Sequence, residues 1–314
     1  MEVLLRPVRA VCALLVLCVM TLSGCGRSDT SDTAAGPAAR ATPVVIDAGN
    51  GKITIPATPK RIVALSPTAT EILFAIGAGP QVVAVDDQSN HPANAPKSKL
   101  SGFKPNAEAV IGHKPDLVVL ASDIGGIVKD LEKVGIPVLL EPSAVKIEDT
   151  YDQIADLGRA TGHAGAATTL AQGMRQQIEA TVKAAPQAGG LTYYHELGES
   201  LHSATSKTFI GQVYALFGLR NIADRADERG DGYPQLSPEY LLKADPDLIF
   251  LADTKCCGQS ADTVAGRTGW DGLAAVKNEN VVPLDDDVAS RWGPRLVDLV
   301  KAVGAAVQKA AARQ

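Results

Sequence analysis

Residues 106–121 read NAEAVIGHKPDLVVLA, and residues 237–252 read SPEYLLKADPDLIFLA. Six of these sixteen positions are identical: Glu108/Glu239, Pro115/Pro246, Asp116/Asp247, Leu117/Leu248, Leu120/Leu251 and Ala121/Ala252. Three more exchange one aliphatic residue for another. Each copy predicts a short amphipathic helix, a Pro-Asp break and a buried strand. The offset is 131 residues (237 − 106), far longer than the ~20–50 residues of a stacked repeat. The pattern therefore implies two similar lobes rather than an array. Two lobes leave a cleft, and the glutamate shared by both copies gives each lobe the same acidic handle.

Strands and helices alternate on both sides of each copy. Before the first copy, residues 44–56 predict a hairpin turning at Asn50-Gly51. Residues 61–66 (RIVALS) predict a buried strand. Ser66 with Pro67 predicts the helix start that follows, and Thr68 with Glu71 offers a capping box. A strand is expected over 81–85, then a polar, Pro-rich loop over 86–102. After the first copy come a helix over 127–134 and a strand over 136–141. The second half repeats the scheme with strands over 191–197 and 281–284 and helices over 209–217 and 294–312. Alternation of this kind predicts α/β lobes with mostly parallel sheets covered on both faces.

The rhythm breaks between residues 147 and 185, where no strand is expected. Leu170, Met174, Ile178 and Val182 share one stripe, which predicts a helix over 163–185, roughly 34 Å long. Set between two lobes, it would act as a stiff spine. The expected organisation is a leader over 1–24, a tether over 25–43, an N-terminal lobe over 44–146, the helical spine over 147–188 and a C-terminal lobe over 189–314.

The N-terminus reads as an export signal. Arg6 and Arg9 precede a short apolar run that is too short to span a bilayer and ends in Leu22-Ser23-Gly24-Cys25. That ending resembles the bacterial lipobox, with cleavage before Cys25 and a lipid on its thiol. The small, polar residues 27–42 predict a disordered tether. The body is then expected at the outer face of the cell membrane, held through the lipid alone. Cleavage would leave 290 residues (314 − 24), enough for two lobes with cores. The net charge of −5 and the lack of any Lys/Arg run exclude a nucleic-acid partner. Beyond the leader and Cys25, only Cys256 and Cys257 remain. Adjacent cysteines form either a vicinal disulfide or two thiols, and they lack zinc-knuckle spacing.

Four segments resemble the ABC-transporter substrate-binding proteins for cobalamin and ferric siderophores: RIVALSP at 61–67 with Thr70-Glu71, the first copy above, YPQLSPE at 233–239 and RWGPRL at 291–296. The resemblance covers residues 53–307. It implies the class III periplasmic binding protein fold: two Rossmann-like lobes joined by one long helix, with modest lobe movement on binding. It also implies a monomer that delivers a metal chelate to an ABC permease and its ATPase. In that family one glutamate on each lobe meets an arginine pocket on the permease, and the matching positions are Glu108 and Glu239. No cofactor of the protein's own is expected, since the ligand itself carries Fe or Co.

The ligand is expected between the lobes, on loops after the strands. Candidates are Ser66, Thr68, Asp87, Asn90 and Phe103 in the first lobe, with His91 and Asp123 nearby. The second lobe offers His202, Tyr233, Arg291 and Trp292, with Glu196 and Lys255. Tyr233 stands next to the place where the cobalamin binders put a cleft tryptophan. A flat macrocycle wants aromatic walls, which Tyr233, Trp292 and Phe103 supply. An anionic chelate wants cations such as Arg291, Lys255, Arg225 or Arg229. Arg291 can instead pair with Asp285, Asp286 or Asp287, and Trp292 can pack against the last helix. Heme, a free transition metal bound through His91, His195 or His202, and a sensing role remain alternatives. No phosphate loop, nucleophile elbow or zincin helix is present, so no enzyme is expected.

Overall fold

The computed structural model describes residues 43–313. The leader, Cys25 and most of the tether lie outside them. Hairpin β1 (Val44–Ala48) and β2 (Gly51–Ile55) pairs Ala48 with Gly51, so the turn is Gly49-Asn50, one residue earlier than expected. Gly51 takes the positive φ of 97° that the turn needs. The first lobe then runs β3 (Ile62–Leu65), α1 (Pro67–Ala75), β4 (Val82–Val85), α2 (Ala107–Gly112), β5 (Leu117–Leu120), α3 (Ile127–Glu132) and β6 (Val138–Leu140). After helices α4 (Ile147–Thr161) and α5 (Ala164–Ala184), the second lobe runs β7 (Thr192–Glu196), α6 (Phe209–Ala215), β8 (Arg220–Asn221), α7 (Pro238–Ala244) and β9 (Leu248–Leu251). It ends with α8 (Thr254–Cys257), α9 (Ala261–Ala265), α10 (Ala274–Lys277), β10 (Val281–Pro283), α11 (Asp286–Ser290) and α12 (Leu296–Ala311).

Each lobe holds a four-stranded, all-parallel sheet, in the orders β4-β3-β5-β6 and β8-β7-β9-β10. The two orders are the same topology. Ile62 pairs with Leu117 and Tyr193 with Leu248, so the 131-residue offset also holds for the strand beside each copy.

The repeated residues do the same work twice. Asn106 and Ser237 cap α2 and α7, accepting from the N–H of Ala109 and Tyr240. Lys114 and Asp245, also 131 apart, both take positive φ after those helices. The shared aspartate then ties the next strand to its neighbour. Asp116 accepts from the N–H of Lys60 and Arg61, both at 2.8 Å. Asp247 accepts from the N–H of Thr192 at 2.7 Å and its hydroxyl at 2.8 Å. These carboxylates satisfy backbone donors where the central strand enters the sheet.

The long helix runs where expected, as α5, and a second helix that was not expected, α4, packs ahead of it: Gly162 ends α4 in a left-handed conformation and α5 starts two residues on. Arg175 stacks over the Tyr151 ring at 3.7 Å. A Cβ on Gly158 would sit 2.4 Å from that of Ala167, so only glycine lets the helices approach so closely. The 21 residues of α5 span roughly 32 Å. Its start lies against Gly77 of the first lobe. Near its end, the Ala184 carbonyl accepts from Gln308 of α12.

One face of each sheet turns inward. Ile62, Ala64, Leu117 and Val119 from one lobe share an apolar core with Tyr193, Leu248 and Phe250 from the other, joined through α1, α4, α5, α6 and α12. The outer faces have separate cores, with Val110 of α2 on one and Leu241 of α7 on the other. The strands alternate between these cores residue by residue, as period-two packing requires. No helix among the described residues is long and apolar enough to cross a membrane.

Candidate functional site between the two lobes

In parallel sheets the loops after the strands gather at one edge. Here the loop after β4 meets the loop after β10: Asn90 donates to Asp287 at 2.9 Å, and Arg291 donates to the Gln88 carbonyl at 3.0 Å. The strand-end edges therefore face each other across the lobe boundary. Four large apolar side chains stand exposed on these loops: Phe103 (72 %), Ile124 (40 %), Val145 (63 %) and Tyr233 (45 %). Phe103 and Tyr233 occupy corresponding places. Each lies on the loop leading from the lobe's second strand into its repeat helix, three residues before Asn106 and four before Ser237. Exposed apolar groups gathered on facing loops are what a large, weakly polar ligand requires.

The expected site residues divide into two groups. Asp87, Phe103 and Tyr233 are exposed on the strand-end loops, and His202 is half-buried there, its ring Nδ1 2.9 Å from the Ser200 hydroxyl. Beside His202 lies a cavity of about 570 Å³ lined also by Arg225, Arg229 and Tyr240. The others are engaged within the protein. Ser66 is buried and caps α1, accepting from Ala69 at 3.3 Å. Thr68 is buried against Gly293 of the other lobe. The Trp292 indole donates to Gln153 of α4 at 2.9 Å, so the ring seats the loop after β10 on the spine.

Arg291, expected to meet ligand, is only 9 % exposed and has four partners. It donates to Glu71 at 2.9 Å, Asn90 at 2.9 Å, the Gln88 carbonyl at 3.0 Å and Asp287 at 2.6 Å. The structure places it as a strut between lobes, and Asn90 belongs to the same network. Lys255 is likewise held by Asp285 at 2.6 Å and Asp287 at 3.1 Å. Glu71 does not form the capping box expected with Thr68. Ser66 is the cap, so Glu71 falls beyond the first turn and points across the boundary to Arg291 and Arg295.

Below the cleft loops of the second lobe lies a buried acidic pair that sequence reading did not assemble. Glu196 ends β7 and is gripped by Arg267 at 2.7 and 2.5 Å. Asp253 follows β9, is fully buried, and has no partner for either oxygen. Burial, then repulsion from Glu196, pushes its carboxyl up to about 7. His195 beside them is fully buried, with its Nδ1 2.7 Å from the Tyr214 hydroxyl. Burial holds its imidazole down to about 3 and therefore neutral. Asp123 accepts from the N–H of Val128 at 2.9 Å. Among the described residues, no group of three or more His, Cys, Asp or Glu stands close enough to hold a metal. Cys256 and Cys257 are joined as a vicinal disulfide on α8, whose first N–H groups are capped by Asp286. Glu108 and Glu239 are both exposed in the first turns of α2 and α7.

Two matched lobes, strand-end loops that meet across their boundary and a helical spine packed into both define a bilobal solute-capturing protein. The chain belongs to the periplasmic binding protein family, whose model matches residues 62–288. It is 32 % identical over 301 residues to YvrC, an uncharacterized ABC transporter substrate-binding lipoprotein of Bacillus subtilis, covering 92 % of this chain and 93 % of that one. It is 30 % identical over 262 residues to the cobalamin-binding protein of Halobacterium salinarum, covering 80 % and 70 %. Among solved structures it is similar to the periplasmic vitamin B12 binding protein BtuF of Vibrio cholerae, with 26 % identity, a TM-score of 0.67 and coverage of 81 % and 98 %.

Proposed function

We propose that the chain is a lipid-anchored carrier, held through Cys25 at the outer face of the cell membrane, that captures a corrinoid and delivers it to an ABC permease and its ATPase. The observation that carries the ligand class is the chemistry of the facing loops. Phe103, Ile124, Val145 and Tyr233 stand free on them, while Arg291 and Lys255 are consumed by carboxylates. Free aromatic and apolar surface suits a large macrocycle with a neutral perimeter better than a small, highly charged ferric chelate. The names of the cobalamin-binding relatives agree with this reading. Cobalt arrives inside the ligand, so the protein needs no cofactor of its own. The carrier works as a monomer, and Glu108 and Glu239 are its docking points on the permease. Exposed charges of this kind steer the encounter and set its register.

The test is calorimetric titration of the chain lacking residues 1–25 with cyanocobalamin, ferric citrate and hemin. Cyanocobalamin is expected to bind at micromolar or tighter affinity. Phe103→Ala and Tyr233→Ala should each weaken it about tenfold, the usual effect of truncating an aromatic anchor. Binding of ferric citrate alone would replace the corrinoid reading with an anionic chelate, held by Arg225 beside His202. Binding of hemin alone would replace it with heme.

A further inference from the structure

Three cations and three carboxylates close a neutral network across the lobe boundary: Arg291, Arg295 and Lys255 with Glu71, Asp285 and Asp287. Glu71 is its centre. It is the only one of the six from the first lobe, and its side chain is 1 % exposed. Both its oxygens are used: Oε1 accepts from Arg291 Nη1 at 2.9 Å and Arg295 Nη2 at 2.6 Å, and Oε2 from Arg295 Nε at 2.9 Å. Asn90 adds a second crossing by donating to Asp287 and accepting from Arg291, both at 2.9 Å. The network thus pins the loop after β4 to the loop after β10.

We propose that Glu71 is a positioning residue: it locks the angle between the lobes, and so fixes the spacing of the facing loops, before any ligand arrives. Three observations support this. The carboxylate comes from a helix that starts at the cleft edge, with Ser66 capping it and Thr68 against Gly293. The contacts are directional and fork-shaped, which fixes geometry more than it adds stability, because desolvation of buried charges offsets much of their attraction. Room for the latch to release also exists. A cavity of about 330 Å³ lies beside Glu71 and Arg295, walled by Phe74, His91, Pro92 and Pro294. The shared core on the spine side permits a small range of lobe angles, and the latch selects one of them.

The experiment measures the lobe spacing directly in the full chain solubilised in detergent. Spin labels are attached through a ketone-bearing residue at exposed positions 129 on α3 and 243 on α7, which avoids the cysteines. The unsubstituted background is expected to give one narrow distance distribution without ligand. Glu71→Gln should broaden it toward longer distances while circular dichroism stays native. It should also speed cyanocobalamin release, on the order of tenfold for loss of a buried charge-assisted contact. Asn90→Ala, an exposed position, should broaden the distribution less; it carries the test if Glu71→Gln does not fold. Unchanged distributions in folded variants would overturn the proposal. The release arm rests on the corrinoid reading and the distance arm does not. Broadening without cyanocobalamin binding would therefore sink that reading and leave the latch standing.

Discussion

Replacing Asp253 with Asn should make the fold more stable, and only at higher pH. Asp253 is fully buried, has no partner for either oxygen, and lies beside Glu196. Its carboxyl titrates at about 7 in the folded protein, against an ordinary value of 3.8. Between those values the unfolded chain has released this proton and the native protein has kept it. The native state binds more protons, so raising the pH through this window weakens the fold. Below 3.8 the group costs nothing, and above 7 the loss is complete and constant. At about 1.36 kcal/mol per pH unit, the window from 3.8 to about 7 sets a ceiling of about 4 kcal/mol. Asparagine has nearly the same shape and cannot ionise, and its amide can donate to Glu196. Urea unfolding followed by circular dichroism at half-unit steps from pH 4 to 9 gives the difference between variant and parent. That difference should be small at pH 4, grow until pH 7, and then level off. Taking the difference cancels groups of opposite slope. One such group is His195, whose depressed value makes stability fall as the pH drops from 6.5 toward 3. Parallel curves for variant and parent would refute the reasoning, because they would mean that Asp253 is ionised throughout.

Four further outcomes are expected. Glu108→Ala combined with Glu239→Ala should leave calorimetric ligand affinity unchanged and abolish uptake in cells; normal uptake would remove these glutamates from docking. Gly211→Ala should cost about 3 kcal/mol or more in urea unfolding, because the new methyl would lie 2.1 Å from the Thr205 carbonyl oxygen and 2.5 Å from the Ser206 Cα, both backbone atoms. Asp247→Ala should cost roughly 1–3 kcal/mol by the same assay, since it strands the N–H of Thr192 at the start of β7. Asp116→Ala should cost less, because the donors it serves at Lys60 and Arg61 are exposed to water.

The lobes were legible because their signals are local. A cap, a Pro-Asp break and a run of aliphatic residues sit within sixteen positions, and having two copies doubled the signal. The long helix was legible because Leu170, Met174, Ile178 and Val182 form a stripe that predicts 163–185, and α5 runs Ala164–Ala184. Helix α4 ahead of it was not assigned; Gly162 ends it in a left-handed conformation. The two-residue β8 was missed because Arg220-Asn221 is polar and too short for a pattern. The site was least legible. Arg291 pairs with Asp287, one of the neighbouring aspartates the sequence offered as partners, but the carboxylate it meets across the lobes, Glu71, is 220 positions away. Glu196 and Arg267 are 71 apart. Nothing in sequence spacing reveals a charge pair that only the tertiary fold brings together. Phe103 and Tyr233 could be singled out because aromatic residues in polar loops stand out against a composition with only 4 % aromatics.

The apolar core that runs unbroken from one lobe into the other has a consequence for traffic at the membrane. With α4, α5 and α12 packed into both halves, the core allows only a small change in the distance between Glu108 and Glu239. On the docking proposed for these glutamates, an empty carrier would offer the permease nearly the same two carboxylates as a loaded one. Empty and loaded forms would then be rivals for one dock, and uptake would slow as carrier outnumbers ligand. Discrimination would fall to the cargo itself, displayed between the glutamates at the mouth of the cleft.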